Sequence, residues 1–248
     1  VPLREIKHST GHLLAPDPNT DKKSDSGLPL IRAERLSKSF TLRKGGLFGG
    51  AQGSRIIAVD DVSLEVPRGK CLGIVGESGS GKTTVGKMIV RALMPDSGTI
   101  VFNDRNGPVD VLALSSAALL PFRRNIQFVF QDPFSSLNPR MTVFDLISEP
   151  LVIHDIGDDA YRAEMVQELM ALVGLDPRFL NRYPHSFSGG QRQRIGIARA
   201  LALKPELLIC DEPVSALDVS VQAQILNLLK DLREELGLTY IFISHNLA

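Results

Sequence analysis

The chain has 248 residues, 43% hydrophobic and 23% charged, the balance of an ordinary globular protein with apolar material for a sizeable core. Its 28 basic and 28 acidic residues cancel, so it lacks the basic excess of a nucleic-acid-binding surface. No apolar run approaches the roughly 20 residues needed to span a bilayer, no secretory signal opens the chain, and two cysteines build no disulfide framework, which points to a reducing compartment.

Residues 1–28 are polar and turn-rich, as in Ala15-Pro16-Asp17-Pro18-Asn19, and read as a linker or tail. The chain opens without methionine and stops inside a pattern at His245-Asn246-Leu247-Ala248. It is therefore expected to be part of a longer polypeptide, and one explanation of the linker is a preceding unit of the same kind in tandem.

From Leu28 onward the pattern is structured. Val62, Leu64 and Val66 alternate with Ser63 and Glu65, as in a half-buried strand. Gly45-Gly46-Leu47-Phe48-Gly49-Gly50 reads as a flexible hairpin tip before it. Cys71-Leu72-Gly73-Ile74-Val75 and Leu207-Leu208-Ile209-Cys210 read as short buried strands, which makes both cysteines inert core thiols. A helix is predicted from Lys82, with Val85, Met88, Ile89 and Leu93 on one face. Ile126, Phe128 and Phe130 alternate as another strand, and the stretch from about 134 to 205 is largely helical in pattern. Val221, Ile225, Leu229, Leu232 and Leu236 define a further amphipathic helix before the strand Tyr240-Ile241-Phe242-Ile243. Strands alternating with helices predict an α/β fold around a mostly parallel sheet.

Gly76-Glu77-Ser78-Gly79-Ser80-Gly81-Lys82-Thr83 fits the phosphate-loop pattern G-x-x-x-x-G-K-[ST], with a strand before it and a helix after it. Glycines let such a loop curl so that backbone N–H groups converge on phosphate oxygens, and the helix adds its positive end. Lys82 brings an ammonium to the outer phosphates, and Thr83 offers a hydroxyl to Mg²⁺. The apolar strand 207–210 ends in Asp211 and Glu212. Asp211 is placed to hold the shell of Mg²⁺ and Glu212 to polarise an attacking water. Together these features define a P-loop nucleotidase.

Ser186-Phe187-Ser188-Gly189-Gly190-Gln191-Arg192-Gln193-Arg194 resembles the signature sequence of ABC (ATP-binding cassette) ATPases, with Phe187 where leucine is usual. Gln131 matches that family's Q-loop glutamine, Ser215-Ala216-Leu217-Asp218 its D-loop, and His245 its switch histidine. The resemblance spans residues 30–248. It implies a RecA-like core, an antiparallel β portion near 30–70, a helical portion near 134–195, and a domain that continues past His245. It also implies ATP and Mg²⁺ as ligands. Phe40 would stack on adenine; Gly76 to Thr84, Thr83 and Thr84 included, would hold the phosphates; Gln131 would join Thr83 and Asp211 at the metal. Glu212, His245, Gln131 and Lys82 would carry catalysis. Ser188, Gly189, Gly190, Gln191 and Asp218 would meet the nucleotide across a head-to-tail pair of ATPase units.

Gln131-Asp132-Pro133-Phe134-Ser135-Ser136-Leu137-Asn138-Pro139-Arg140 narrows the resemblance to the ATPases of bacterial peptide and nickel importers. The implied partners are membrane permease subunits, a second ATPase unit and, indirectly, a solute-binding protein, with no nucleic acid. The implied location is peripheral, on the cytoplasmic face of the inner membrane. A soluble, non-transport ABC ATPase is the alternative, against which the neutral charge speaks. A P-loop kinase or switch GTPase would leave Ser188-Gly189-Gly190-Gln191 without a purpose, and no Asn-Lys-x-Asp segment occurs.

Overall fold

The structure is a computed structural model that describes residues 27–42, 54–104, 107–132 and 134–245. Most of the expected linker and all of the Gly-rich tip at 45–50 lie outside the described residues. The strands are β1 (Ile31–Leu42), β2 (Ser54–Val66), β3 (Cys71–Val75), β4 (Ser97–Asp104), β5 (Gly107–Asp110), β6 (Ile126–Val129), β7 (Leu207–Asp211) and β8 (Thr239–Ser244). The helices are α1 (Lys82–Ile89), α2 (Ser116–Asn125), α3 (Val143–Ile153), α4 (Asp159–Leu172), α5 (Gly189–Leu201) and α6 (Val219–Leu236).

Among the described residues two four-stranded sheets form. The antiparallel sheet has the order β2-β1-β4-β5, so it takes in two strands that follow α1 as well as the expected region near 30–70. The parallel sheet has the order β3-β8-β7-β6. Its central strand β7 is buried along its whole length. Leu207 and Ile209 face a core shared with the antiparallel sheet and α1, while Leu208 and Cys210 face a second core built largely from α3 to α6. The parallel sheet is thus covered on both faces, which is why β7 reads as a continuous apolar run.

Two local departures from the sequence reading have clear causes. Cys71 is exposed, not buried, because β3 is an edge strand whose alternate residues Cys71, Gly73 and Val75 face out. Cys210, in central β7, is buried as expected. The helix after Lys82 stops at Ile89, and Arg91 turns the chain with φ 50°, so Leu93 packs from a loop and not from a helical face.

In the region expected to be helical, no helix begins before Val143. There Thr142 and Asp145 form a reciprocal capping box. Asp158 caps α4 through the Tyr161 N–H, and Ser188 caps α5. The buried faces of α3, α4 and α5 share one core, with Leu146, Ile147, Met165, Leu169, Ile195 and Ala198 fully or almost fully buried.

A candidate nucleotide site at the ends of four parallel strands

Every strand of the parallel sheet runs its C-terminal end to one place. β3 leads into the loop 76–81, β6 leads to Gln131, β7 ends in Asp211 before Glu212, and β8 leads to His245. Open α/β sheets bind ligands outside such carboxyl ends. Here the ends surround a cleft of about 420 Å³ lined by Ala58, Ser78, Gly79, Gly81, Lys82, Thr83, Thr84, Gln131, Glu212 and His245.

The loop is shaped by its glycines. Gly81 has φ 91°, and a Cβ there would lie 2.0 Å from the Ala58 carbonyl oxygen, so only glycine lets the loop tuck beneath β2. Ser80 N–H donates to the Glu77 carbonyl at 3.2 Å, and Val85 N–H to that of Gly81 at 3.0 Å, which starts α1. Lys82 is 8% exposed, and its ammonium turns back to donate to the carbonyls of Gly76 and Glu77, both at 2.7 Å. Gly76, Glu77 and Ser80 therefore shape the loop without lining the cleft.

Behind the loop, Thr83 Oγ1 donates to Asp211 Oδ2 at 2.8 Å. Asp211 is 5% exposed, and its second oxygen, Oδ1, is buried with no hydrogen-bond partner. Burial pushes the Asp211 carboxyl above the usual range. The Thr83 hydrogen bond opposes the rise, Glu212 adds to it, and Lys87 and Lys82 counter it.

Glu212 follows with φ 45°, a left-handed conformation uncommon for a residue with a side chain. Its N–H donates to the Ile243 carbonyl at 2.9 Å, which ties the turn to β8. Its Oε2 accepts from Gln131 Nε2 at 2.9 Å and lies 3.0 Å from His245 Nδ1. Strained backbone that tertiary contacts hold in place concentrates at working sites.

The remaining sequence-selected residues lie off this cleft. Phe40 sits on β1, exposed, and pairs with Ile56 of β2. Ser188 Oγ accepts from the Gln191 N–H at 3.3 Å, and Gln191 Oε1 accepts from the Ser188 N–H at 3.0 Å, so both side chains are engaged in the cap of α5. A Cβ on Gly190 would lie 2.4 Å from Val221 Cγ1, and one on Gly189 would lie 3.2 Å from Leu217 Cδ2. These glycines let α5 approach the start of α6 closely. Asp218 precedes α6, exposed and with no side-chain capping bond. Ala58 lines the cleft although nothing in its chemistry marks it in the sequence; it is the extra residue of β2 between Ile57 and Val59, which pair with the adjacent Ser39 and Lys38.

A family model described as ABC transporter matches residues 59–215. The chain is 52% identical over 220 residues to the oligopeptide transport ATP-binding protein AppF of Bacillus subtilis, covering 88% of this chain and 65% of that one. It thus spans just under two thirds of the length of the curated relatives it matches. Among solved structures, the ATP-binding cassette MJ0796, a dimer in a post-hydrolysis state bound to ADP and Pi, superposes with a TM-score of 0.74 at 31% identity over 88% of each chain. The cbiO1 protein of Clostridium perfringens, part of an ABC transporter complex, superposes with a TM-score of 0.71 at 27% identity over 88% of this chain and 79% of that one. With the phosphate loop, the paired acids and the family model all falling on the same α/β core, the chain belongs to the ABC transporter family and has its P-loop ATPase fold.

Proposed function

We propose that this chain binds and hydrolyses ATP as the nucleotide-binding subunit of a membrane ABC transporter, and that the transporter imports peptides or related small solutes. The observation that carries the reading is the gathering of Lys82, Thr83, Asp211, Gln131, Glu212 and His245 at the ends of four neighbouring strands. The peptide assignment rests on the similarity to AppF.

In this reading the loop N–H groups and Lys82 take the phosphates, and the exposed Phe40–Ile56 pair beside Ala58 takes the adenine. Thr83, Asp211 and Gln131 offer oxygens, and the unpartnered Oδ1 of Asp211 fits a hard cation. Mg²⁺ is such a cation, and these three residues would hold it. Bound there, the ion would neutralise charge on the β- and γ-phosphates. Glu212 accepts a proton from the water that attacks the γ-phosphorus, and the bond from that phosphorus to the β,γ-bridging oxygen breaks. Gln131 and His245 hold the Glu212 carboxylate for that step.

The family resemblance assigns Ser188, Gly189, Gly190, Gln191 and Asp218 to the nucleotide of a second ATPase unit, head to tail, and their position off this chain's own cleft is compatible with that. Residues 29–248 act as one ATPase domain, with the helical portion near 134–195 facing the permease subunits and a solute-binding protein delivering cargo beyond them. The complex sits peripherally on the cytoplasmic face of the inner membrane; no described helix is long and apolar enough to cross it.

The test is purification of the full-length protein from membranes. Permease subunits should co-purify, and a peptide-loaded solute-binding protein should stimulate ATP hydrolysis by the complex. An active ATPase recovered with no membrane partner would favour a non-transport role.

A further inference from the structure

Phe40 and Ile56 face each other across the β1–β2 ribbon and are 41% and 48% exposed. Ala58, two residues beyond Ile56 along β2, lines the cleft. An open apolar platform therefore adjoins the phosphate loop. The ladder beneath it is irregular, because the register slips between Leu36 and Lys38 and again between Lys38 and Ser39. At both slips the extra residue lies on β2, so the ladder opposite Lys38 and Ser39 is interrupted just before the Phe40–Ile56 pair.

One carboxylate from outside the ribbon holds this stretch. Asp96, in the turn before β4, accepts from Lys38 Nζ at 2.7 Å through Oδ1. Its Oδ2 accepts from both the N–H and the hydroxyl of Ser39, each at 2.8 Å. The Asp96 N–H donates to the Ser37 carbonyl at 2.8 Å. Ser39 Oγ in turn accepts from Arg55 Nε of β2 at 2.9 Å, so the clamp reaches both strands. Hydrogen bonds to an ionised carboxylate are the stronger kind.

We propose that Asp96 is a positioning residue for nucleobase recognition: by clamping Lys38 and Ser39 it holds the Phe40 ring open beside the cleft. The proposal rests on the reading of Phe40 as the base platform. Asp96 touches neither the cleft nor the phosphate loop, so its effect is confined to the base end of the nucleotide.

The experiment uses the full-length protein in a Glu212→Gln background and measures calorimetric affinities for Mg-ATP and for Mg-tripolyphosphate, which carries the phosphates without the base. Phe40→Ala should weaken ATP binding about fivefold or more, the cost of losing one stacked base. Asp96→Ala should weaken ATP binding by about threefold up to that full loss. Neither should change tripolyphosphate binding, and the double variant should bind ATP no worse than Phe40→Ala. Asp96→Asn, which keeps an acceptor for the Ser39 N–H, should lose less than Asp96→Ala, and it decides the matter on the same terms if Asp96→Ala does not fold. A silent Phe40→Ala would remove the platform reading and this proposal with it. An effective Phe40→Ala beside a silent Asp96 variant, an equal loss for tripolyphosphate, or multiplying losses in the double variant would overturn the Asp96 proposal alone.

Discussion

Glu212 Oε2 lies 3.0 Å from Nδ1 of His245, and the same oxygen takes the amide of Gln131. The groups arrive from the ends of three different strands, β7, β8 and β6, so a single carboxylate is oriented by three of the sheet's four strands. Glu212→Gln keeps the shape and removes the base. Phosphate release should fall by about 10²–10⁴-fold, while ATP affinity stays close to wild type because Lys82 and the loop are untouched. A wild-type rate would take the role away from Glu212.

Two glycines offer a matched pair. Gly81→Ala forces a Cβ to within 2.0 Å of the Ala58 carbonyl at φ 91°. The left-handed backbone alone costs about 1–3 kcal/mol for such a residue. ATP binding should be lost and the melting temperature should drop. Gly196, inside α5, has open space where its Cβ would be. Gly196→Ala should raise the melting temperature, since alanine is favoured over glycine in a helix by up to about 1 kcal/mol. Thermal melts of both variants check the pair, and an unchanged Gly81→Ala melt would contradict the tucked loop.

Ser188→Arg probes the second ATPase unit. Ser188 is at an exposed helix start, away from the cleft; Ser188→Arg gives up the cap of α5, a cost of about 0.5–2 kcal/mol, while a Gly190 variant would also drive a Cβ into Val221, so a melting curve accompanies the assay. In the full-length protein, Ser188→Arg should bind ATP normally yet fail to dimerise with ATP and fail to turn it over. Light scattering in the Glu212→Gln background reads the dimer. Normal dimerisation with normal hydrolysis would refute a shared site.

The cysteines predict unequal thiols. Partial desolvation raises the Cys71 thiol, with Arg233 opposing, yet the residue is exposed on edge strand β3. Burial pushes Cys210 far higher. The native protein should show one thiol reactive to a chromogenic disulfide reagent and two after unfolding in guanidinium. The thiolate is the reactive form, so a raised Cys71 should react more slowly than free cysteine at pH 7.5 and keep accelerating above pH 9. Two fast thiols in the native state would refute the placement of Cys210.

Residues picked from four separate stretches of sequence lie around one cleft because each stretch carries its chemistry locally: a curled loop, a strand end, an acid pair. What escaped the sequence depends on order in space. The exposure of Cys71 follows from β3 being at a sheet edge, and alternation does not say which strand is an edge. The joining of β4 to β1 pairs Ile31 with Phe102 across the phosphate loop and α1, a contact that local pattern cannot announce. Ala58 offers only a small methyl, and Asp96 acts on residues more than fifty positions away. Neither has a signature of its own.

The ammonium of Lys82, already bonded to Gly76 and Glu77, carries a thermodynamic consequence. The ammonium has three N–H donors and two are already engaged, so an arriving phosphate can take the third and gains a second only by displacing a carbonyl oxygen. The enthalpy of nucleotide binding is then a difference between two bonded states, smaller than a count of new contacts suggests. Replacing Lys82 removes the internal staple together with the ligand's partner, so such a variant reports on the rigidity of the free loop as much as on affinity.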